Sequence, residues 1–301
     1  MLKIRVGTRD SMLAIKQAKI VIKKISKISK GAFKFEIVKI KTIGDKNNEE
    51  IISDKGGFKG VFTKEIQDAM QRNEIDIAIH SMKDLQVNMP DGSEVVSILP
   101  RDPSNDGFFS DKWPSISKLP HNAKIGTSSL RRKMFLQKIR PDIEIIPIRG
   151  NINTRFEKMK NMDLDGIILS YCGPKRLKML KKSRFSEKID ISIMTPSPGQ
   201  GAIGIEMLSS NTNDLLRSIL QKISCKKTFF EVKKERMLAR LACVFCQMPF
   251  ACNVKKYGEF VELRVNFEND KLGKNIAFNE KMGINTLDAK IEDIAKLISE
   301  I

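Results

Sequence analysis

Hydrophobic and polar positions along this chain switch repeatedly between two periods. "KIRVG" (3–7) is a short apolar run and predicts a buried strand, while residues 11–28 place apolar side chains every three to four positions and predict a helix. "FEIVKIKT" (35–42) alternates with period two, "TKEIQDAMQRN" (63–73) returns to helical spacing, and "IDIAIHS" (75–81) is again strand-like. The same order recurs further on: a strand at "AKIGT" (123–127), a helix from about Ser129, a strand at "IEIIPI" (143–148), a helix over 152–161 and a strand at "DGIILS" (165–170). "LPRDPSNDG" (99–107) reads as a linker between the two series, and "TPSPGQG" (195–201) as a second break. Beyond it come a strand-like "AIGIEM" (202–207), helical stretches near 211–223 and 227–243, strand-like runs near 257–267 and 274–279, and a closing helix over 286–300. Such alternation predicts an α/β protein with largely parallel sheets, here two doubly wound domains and a smaller C-terminal α/β domain.

Composition narrows the picture. The 301 residues are 41% hydrophobic and 30% charged, as in globular proteins with a sizeable core. No apolar run approaches the ~18 residues of a membrane span, so no membrane association is expected. The start of the chain has no unbroken apolar segment and no small-residue cleavage site, so no secretion signal is expected. With an odd number of cysteines, reduced thiols in the cytoplasm are the expectation. The net charge of +18 invites a polyanion, but lysines are spread over nearly every polar face, as in "VIKKISKISKGAFKFEIVKIK" (21–41). Neither an aromatic stacking platform nor a basic recognition helix is evident, so nucleic acid is not an expected partner. The arginines are fewer and cluster at Arg131, Arg132, Arg149 and Arg155. A planar guanidinium pairs bidentately with carboxylate or phosphate, which makes these clusters the candidate anion sites.

Several stretches carry candidate chemistry. "IHSMKDLQ" (79–86) sets His80, Ser81, Lys83 and Asp84 at the carboxyl end of a strand, the edge where open α/β sheets bind ligands. Asp84 there could stabilise a cation or shuttle a proton, or it could merely cap a helix. His80 reads as a satisfied polar group near the core. "GTSSLRR" (126–132) offers Thr127, Ser128 and Ser129 as N-caps, with N–H groups that attract anions. "IRGNINTRFEK" (148–158) repeats that logic, with Asn153 or Thr154 as the expected cap and Arg155 in the first turn, a position the helix dipole disfavours. "GGFKGVFTKE" (56–65) is a glycine-rich basic loop without the P-loop order, either a flexible lid or an ordinary mobile loop. "LACVFCQMPFAC" (241–252) concentrates Cys243, Cys246 and Cys252. A four-ligand zinc site lacks a nearby fourth ligand, and no metal is expected. A redox pair normally opens a helix after a strand, and this one follows a helix. Core filler remains, with or without one nucleophilic thiol.

The blocks "RDSMLAIKQ" (9–17), "KGVFTKE" (59–65), "IHSMKDL" (79–85), "GTSSLRR" (126–132), "IRGNINTR" (148–155), "GPKRL" (173–177), "PGQGAIGIE" (198–206) and "CQMP" (246–249) occur in an order that resembles the porphobilinogen deaminase family, also called hydroxymethylbilane synthases. The resemblance runs from about residue 3 to 252, and the last 50 or so residues carry no diagnostic motif. It implies two periplasmic-binding-protein-like domains, 1–99 with 200–220 and 100–199, and a third over 221–301. It also implies a monomeric transferase of haem biosynthesis that joins four porphobilinogen molecules head to tail and releases ammonia. Growth occurs on a dipyrromethane cofactor held by a thioether, which the motif puts on Cys246. By resemblance Lys83, Thr127, Ser129, Arg131, Arg132, Arg155, Gly173 and Arg176 bind the cofactor together with Asp84, the catalytic carboxylate. Arg9, Ser11, Gln17, Arg149, Arg155 and Gln200 match substrate positions, and Lys59 and Phe62 match the lid. The alternative is a non-enzymatic small-anion binder built on two α/β lobes. The chain departs from the family at Val244 and Phe245, usually two glycines, at Gln86, commonly proline, at Asn105, usually arginine, and at Pro198, usually valine.

Overall fold

The computed structural model describes residues 1–42, 63–244, 248–269 and 273–300. Lys59, Phe62 and Cys246 lie outside the described residues. The chain divides into two compact units, Met1–Arg101 with Ala202–Phe230, and Asp102–Gly201 with Glu231–Ile301.

The first unit holds β1 (Leu2–Arg9), α1 (Met12–Ser29), β2 (Phe33–Ile40), α2 (Lys64–Gln71), β3 (Ile77–Ser81) and β4 (Ser93–Ile98). In the second, β5 (Asp106–Ser110), β6 (Lys124–Gly126), α3 (Leu130–Ile139), β7 (Glu144–Ile146), α4 (Ile152–Asn161), β8 (Gly166–Ser170), α5 (Cys172–Arg176) and β9 (Phe185–Lys188) follow. The chain then returns to the first unit with β10 (Ile203–Leu208) and α6 (Asp214–Ile223). The two sheets have orders β2-β1-β3-β10-β4 and β7-β6-β8-β5-β9, the same winding twice. Within each, the early strands pair in parallel, β1 with β2 and β3, β6 with β7 and β8. The inserted strand runs the other way: β10 is antiparallel to β3 and β4, and β5 to β8 and β9. The sheets are therefore mixed rather than largely parallel, because β10 and β5 enter their sheets from the opposite edge after the chain changes unit.

Period-two alternation sorts each strand onto two cores. Ile77, Ile79, Ile203 and Ile205 join Val6 against Ala18 and Val21 of α1 and Leu216 and Ile219 of α6. On the other face Ala78 packs with Ile66, Ala69 and Met70 of α2. In the second sheet Phe108, Ile125 and Ile168 pack against Met134 and Phe135 of α3, while Phe109 and Ile167 pack against Phe156 and Met159 of α4. Each fully buried isoleucine or phenylalanine contributes roughly 1.5–3 kcal/mol of transfer free energy.

The long α7 (Lys226–Leu241) leads to a third sheet, the antiparallel meander β11 (Phe250–Tyr257), β12 (Phe260–Asn269) and β13 (Lys274–Gly283), closed by α8 (Leu287–Ser299). The run expected over 257–267 takes in the end of β11, a hairpin turn with Gly258 at φ +59° and most of β12, with Tyr257 opposite Phe260. β2 covers 33–40 rather than 35–42 because pairing with β1 from Leu2↔Phe33 to Arg9↔Ile40 fixes its ends. β5 begins inside the stretch that reads as linker. Asn105, where the family commonly has arginine, donates from Nδ2 to the Ile189 carbonyl at 2.8 Å just before that strand.

Candidate active site

β3 carries four buried residues and then delivers Ser81 to its carboxyl edge. A turn follows at once, with the Asp84 N–H donating to the Ser81 carbonyl at 2.9 Å. Asp84 is half-buried and lines a concave site with Arg9, Ser11, Leu13, Ala14, Gln17, Thr63, Ile79, His80 and Ser81. The positions follow from local structure. β1 ends on Arg9, and Ser11 caps α1 by accepting from the Ala14 N–H at 3.2 Å. Gln17 then falls on the buried face of α1, where its Nε2 donates to Ser81 Oγ at 2.8 Å and its Oε1 accepts from the same hydroxyl at 3.2 Å. The Asp84 carboxylate takes no hydrogen bond or ion pair among the described residues. Lys83 is half-buried on the same turn. Gln86, in the position where the family commonly has proline, donates to Thr63 Oγ1 at 3.3 Å and ties the end of this turn to the start of α2.

Beneath the turn lies a polar cluster that sequence reading found only in part. His80 is 4% exposed, and its Nε2 lies 2.8 Å from Oε2 of the fully buried Glu206 on β10. Gln67 of α2 donates to Oε1 of Glu206 at 3.0 Å, and the Ser93 hydroxyl reaches the same oxygen. Burial by itself would push the Glu206 carboxyl up. The contacts from His80, Ser93 and Gln67 more than offset it, and the carboxyl is held below the usual carboxylate range. A carboxyl depressed in the folded state adds stability above its unfolded value, and that stability is lost as pH falls through the folded value. Glu206→Gln should thus cost about 3 kcal/mol at neutral pH, the scale of breaking a buried pair. Urea melts should show the gap to the unsubstituted chain narrowing toward pH 4, and equal midpoints at pH 7 would show the contact to be idle. The available sequence signal was a lone charge in the apolar run "AIGIEM".

In the second unit β6 leads to Thr127, and Ser129 caps α3 by accepting from the Arg132 N–H at 3.4 Å. Arg131 and Arg132 are neither exposed nor outward-facing. They are 5% and 6% exposed and both meet Asp106, at 2.7 and 2.9 Å. Arg176 at the end of α5 donates to Asp102 Oδ2 at 2.9 Å and to the Gly201 carbonyl at 2.7 Å. Gly201 has φ +87°, and a Cβ there would stand 2.4 Å from the Asp102 carbonyl, so this close approach requires glycine. Gln200 is buried and donates to the Ser104 carbonyl at 2.6 Å. Gly173 is buried within α5.

At the second strand-to-helix junction the cap is Asn151, not Asn153 or Thr154: its Oδ1 accepts from the Thr154 N–H at 3.0 Å. Gly150 at φ +110° makes the turn that lets the cap sit one residue after it. Arg155 answers the unfavourable dipole by donating to the Gly150 carbonyl at 2.8 Å. Arg149 is exposed and makes no hydrogen bond or ion pair among the described residues. The structure thus collects Arg9, Ser11, Gln17 and Asp84 in one concave site, and gathers Arg131, Arg132 and Gln200 around Asp106. It leaves Arg149 apart from that second group.

α7 ends in a left-handed residue, Cys243 at φ +51°, and the Val244 N–H closes the turn on the Ala239 carbonyl at 3.1 Å. The positive φ falls on Cys243, so Val244 needs no glycine backbone and is instead buried at 3%. Cys243 is exposed, whereas Cys252 is fully buried on β11. Among the described residues no group of three or more His, Cys, Asp or Glu could hold a metal ion. No described helix is long and apolar enough to cross a membrane.

The chain is an α/β protein with an acid and a cation lining one concave site and buried guanidiniums elsewhere. The family model described as porphobilinogen deaminase, dipyromethane cofactor binding domain, matches residues 4–215. Porphobilinogen deaminase from Carboxydothermus hydrogenoformans is 38% identical over 93% of this chain and 88% of its own length. That from Geobacter sulfurreducens is 40% identical over 87% and 80%. Among solved structures, a TRAP periplasmic solute binding protein from Desulfovibrio salexigens aligns with TM-score 0.44 at 10% identity over 78% of this chain and 76% of its own. The chain belongs to the porphobilinogen deaminase family. It is a transferase that assembles hydroxymethylbilane, and its cofactor is dipyrromethane. A non-enzymatic anion binder is not favoured.

Proposed function

We propose that the protein, as a cytoplasmic monomer, joins four porphobilinogen molecules head to tail with loss of ammonia, extending a chain held on Cys246. The observation that carries the residue roles is that Arg9 and Asp84 line one concave site at the end of β3. Porphobilinogen bears an acetate, a propionate and an aminomethyl group, so its site needs both a cation and an anion. Arg9, Ser11 and Gln17 bind the incoming ring, with Arg149, Arg155 and Gln200 on its carboxylates. Asp84 faces the pyrrole nitrogen of the substrate and stabilises the positive charge that develops as ammonia departs. The donor set fits the cofactor: Lys83, Ser129, Arg131, Arg132, Arg155 and Arg176 are cations and a hydroxyl suited to a polycarboxylate, with Thr127 and Gly173 beside them. When bound, the dipyrromethane supplies the primer for chain growth. The antiparallel meander with α8 acts as a third domain that presents Cys246, and Lys59 and Phe62 belong to the lid.

The test is the intact mass of the purified protein together with product formation from porphobilinogen. The mass should exceed that of the sequence by one dipyrromethane, and hydroxymethylbilane should accumulate. Unmodified mass with no ammonia released from porphobilinogen would reject the reading.

A further inference from the structure

Asp106 opens β5, fully buried, in a stretch that reads as linker in the sequence. Its Oδ2 lies 2.7 Å from Arg131 Nη2. Its Oδ1 accepts from Arg132 Nε at 3.0 Å and from Gln200 Nε2 at 3.2 Å. Each guanidinium also donates to a main-chain carbonyl, Arg131 to Thr195 at 2.7 Å and Arg132 to Ile168 at 2.9 Å. These contacts fix both planar groups from two sides.

The charges do not balance. Two buried guanidiniums face one carboxylate among the described residues, which leaves one positive charge in surplus. Burial pushes the Arg131 guanidinium down, Asp106 opposes this, and the like charge of Arg132 adds to the burial. An uncompensated buried cation is costly, and an incoming anion relieves that cost. With Asp106 in place the pair calls for one such anion.

We propose that Asp106 is a positioning residue that presets the Arg131–Arg132 pair for a single carboxylate of the bound pyrrole chain, a role that rests on the function proposed above. It holds both guanidiniums oriented before that carboxylate arrives and limits their appetite to one. Loss of its charge leaves two surplus cations in the unloaded protein. Loss of Arg132 removes the surplus altogether. Loss of both restores a surplus of one.

Four proteins test this: the unsubstituted chain, Asp106→Asn, Arg132→Gln and the double variant, all produced in cells unable to make porphobilinogen. Thermal melting is measured on the unloaded proteins. Intact mass after incubation with porphobilinogen gives the fraction that acquires dipyrromethane. Unloaded Asp106→Asn should melt several degrees below the unsubstituted chain. Arg132→Gln should load at least ~10-fold more slowly. The double variant should load faster than Arg132→Gln and melt above Asp106→Asn, the sign of coupling between contacting residues. Equal loading by the double variant and Arg132→Gln would overturn the proposal. So would an unloaded Asp106→Asn that melts with the unsubstituted chain. If Asp106→Asn does not fold, the double variant carries the test, and its failure to fold also overturns the charge account. If the unsubstituted chain gains no mass from porphobilinogen, the proposed function fails, and the melting comparison still decides whether Asp106 presets the pair.

Discussion

Asp84→Asn is expected to lower steady-state turnover by at least ~10²-fold in protein that already carries its cofactor, the scale of losing one electrostatic stabiliser. The carboxylate stands at the carboxyl edge of β3, half-buried in a concave site, and it is not committed to any ion pair among the described residues. Its charge is therefore available to a ligand. Positive charge develops on a pyrrole nitrogen as ammonia leaves, and a fixed anion lowers that barrier most where water is scarce. Asparagine keeps the shape and the backbone contact from the Asp84 N–H to Ser81, since that contact uses no side-chain atom. The melting temperature should accordingly move little. Asp84→Glu keeps the charge but displaces it by one methylene, and should retain some activity. Turnover within a few-fold of the unsubstituted chain in cofactor-loaded Asp84→Asn would make the carboxylate structural.

Cys246→Ser is expected to abolish the mass increment completely, because a hydroxyl cannot form the thioether. The same change at Cys243 or Cys252 should leave the increment intact. The three thiols differ in setting as well as in motif. Cys252 is fully buried on β11, where a pyrrole ring has no access. Cys243 is exposed but serves as the left-handed end of α7, and it precedes the motif "CQMP" by three residues. Peptide mapping settles the assignment. An adduct on Cys243 would mean that the motif at 246–249 does not mark the anchor in this chain.

What was legible in the sequence was mostly local. Helices α1, α2, α3 and α4 follow from apolar spacing, with Ser129 as the cap of α3, because helical hydrogen bonds close within four residues. Strands β1, β3, β6 and β8 follow from short apolar runs that only a sheet covered on both faces can bury. The turn bearing Lys83 and Asp84 was equally readable, since it directly follows such a strand. The motif order gave the family, the cofactor and its expected anchor.

Strands β4, β5 and β9 were not legible, because their pairing energy comes from partners far along the chain. β5 in particular begins among residues that look like a linker, and only β8 and β9 make it a strand. The same distance decides the chemistry of charged side chains. Arg131 and Arg132 read as candidate anion-binding cations at a helix start, but the carboxylate they meet in the fold is Asp106, about 25 residues earlier. His80 read as a satisfied polar group, but its partner is Glu206 on the strand that returns from the other unit's sequence. Periodicity and capping depend on neighbours within a turn and are written in the sequence. A buried charge is settled by whichever group the fold brings within hydrogen-bond reach, and that separation in sequence carries no periodic signal.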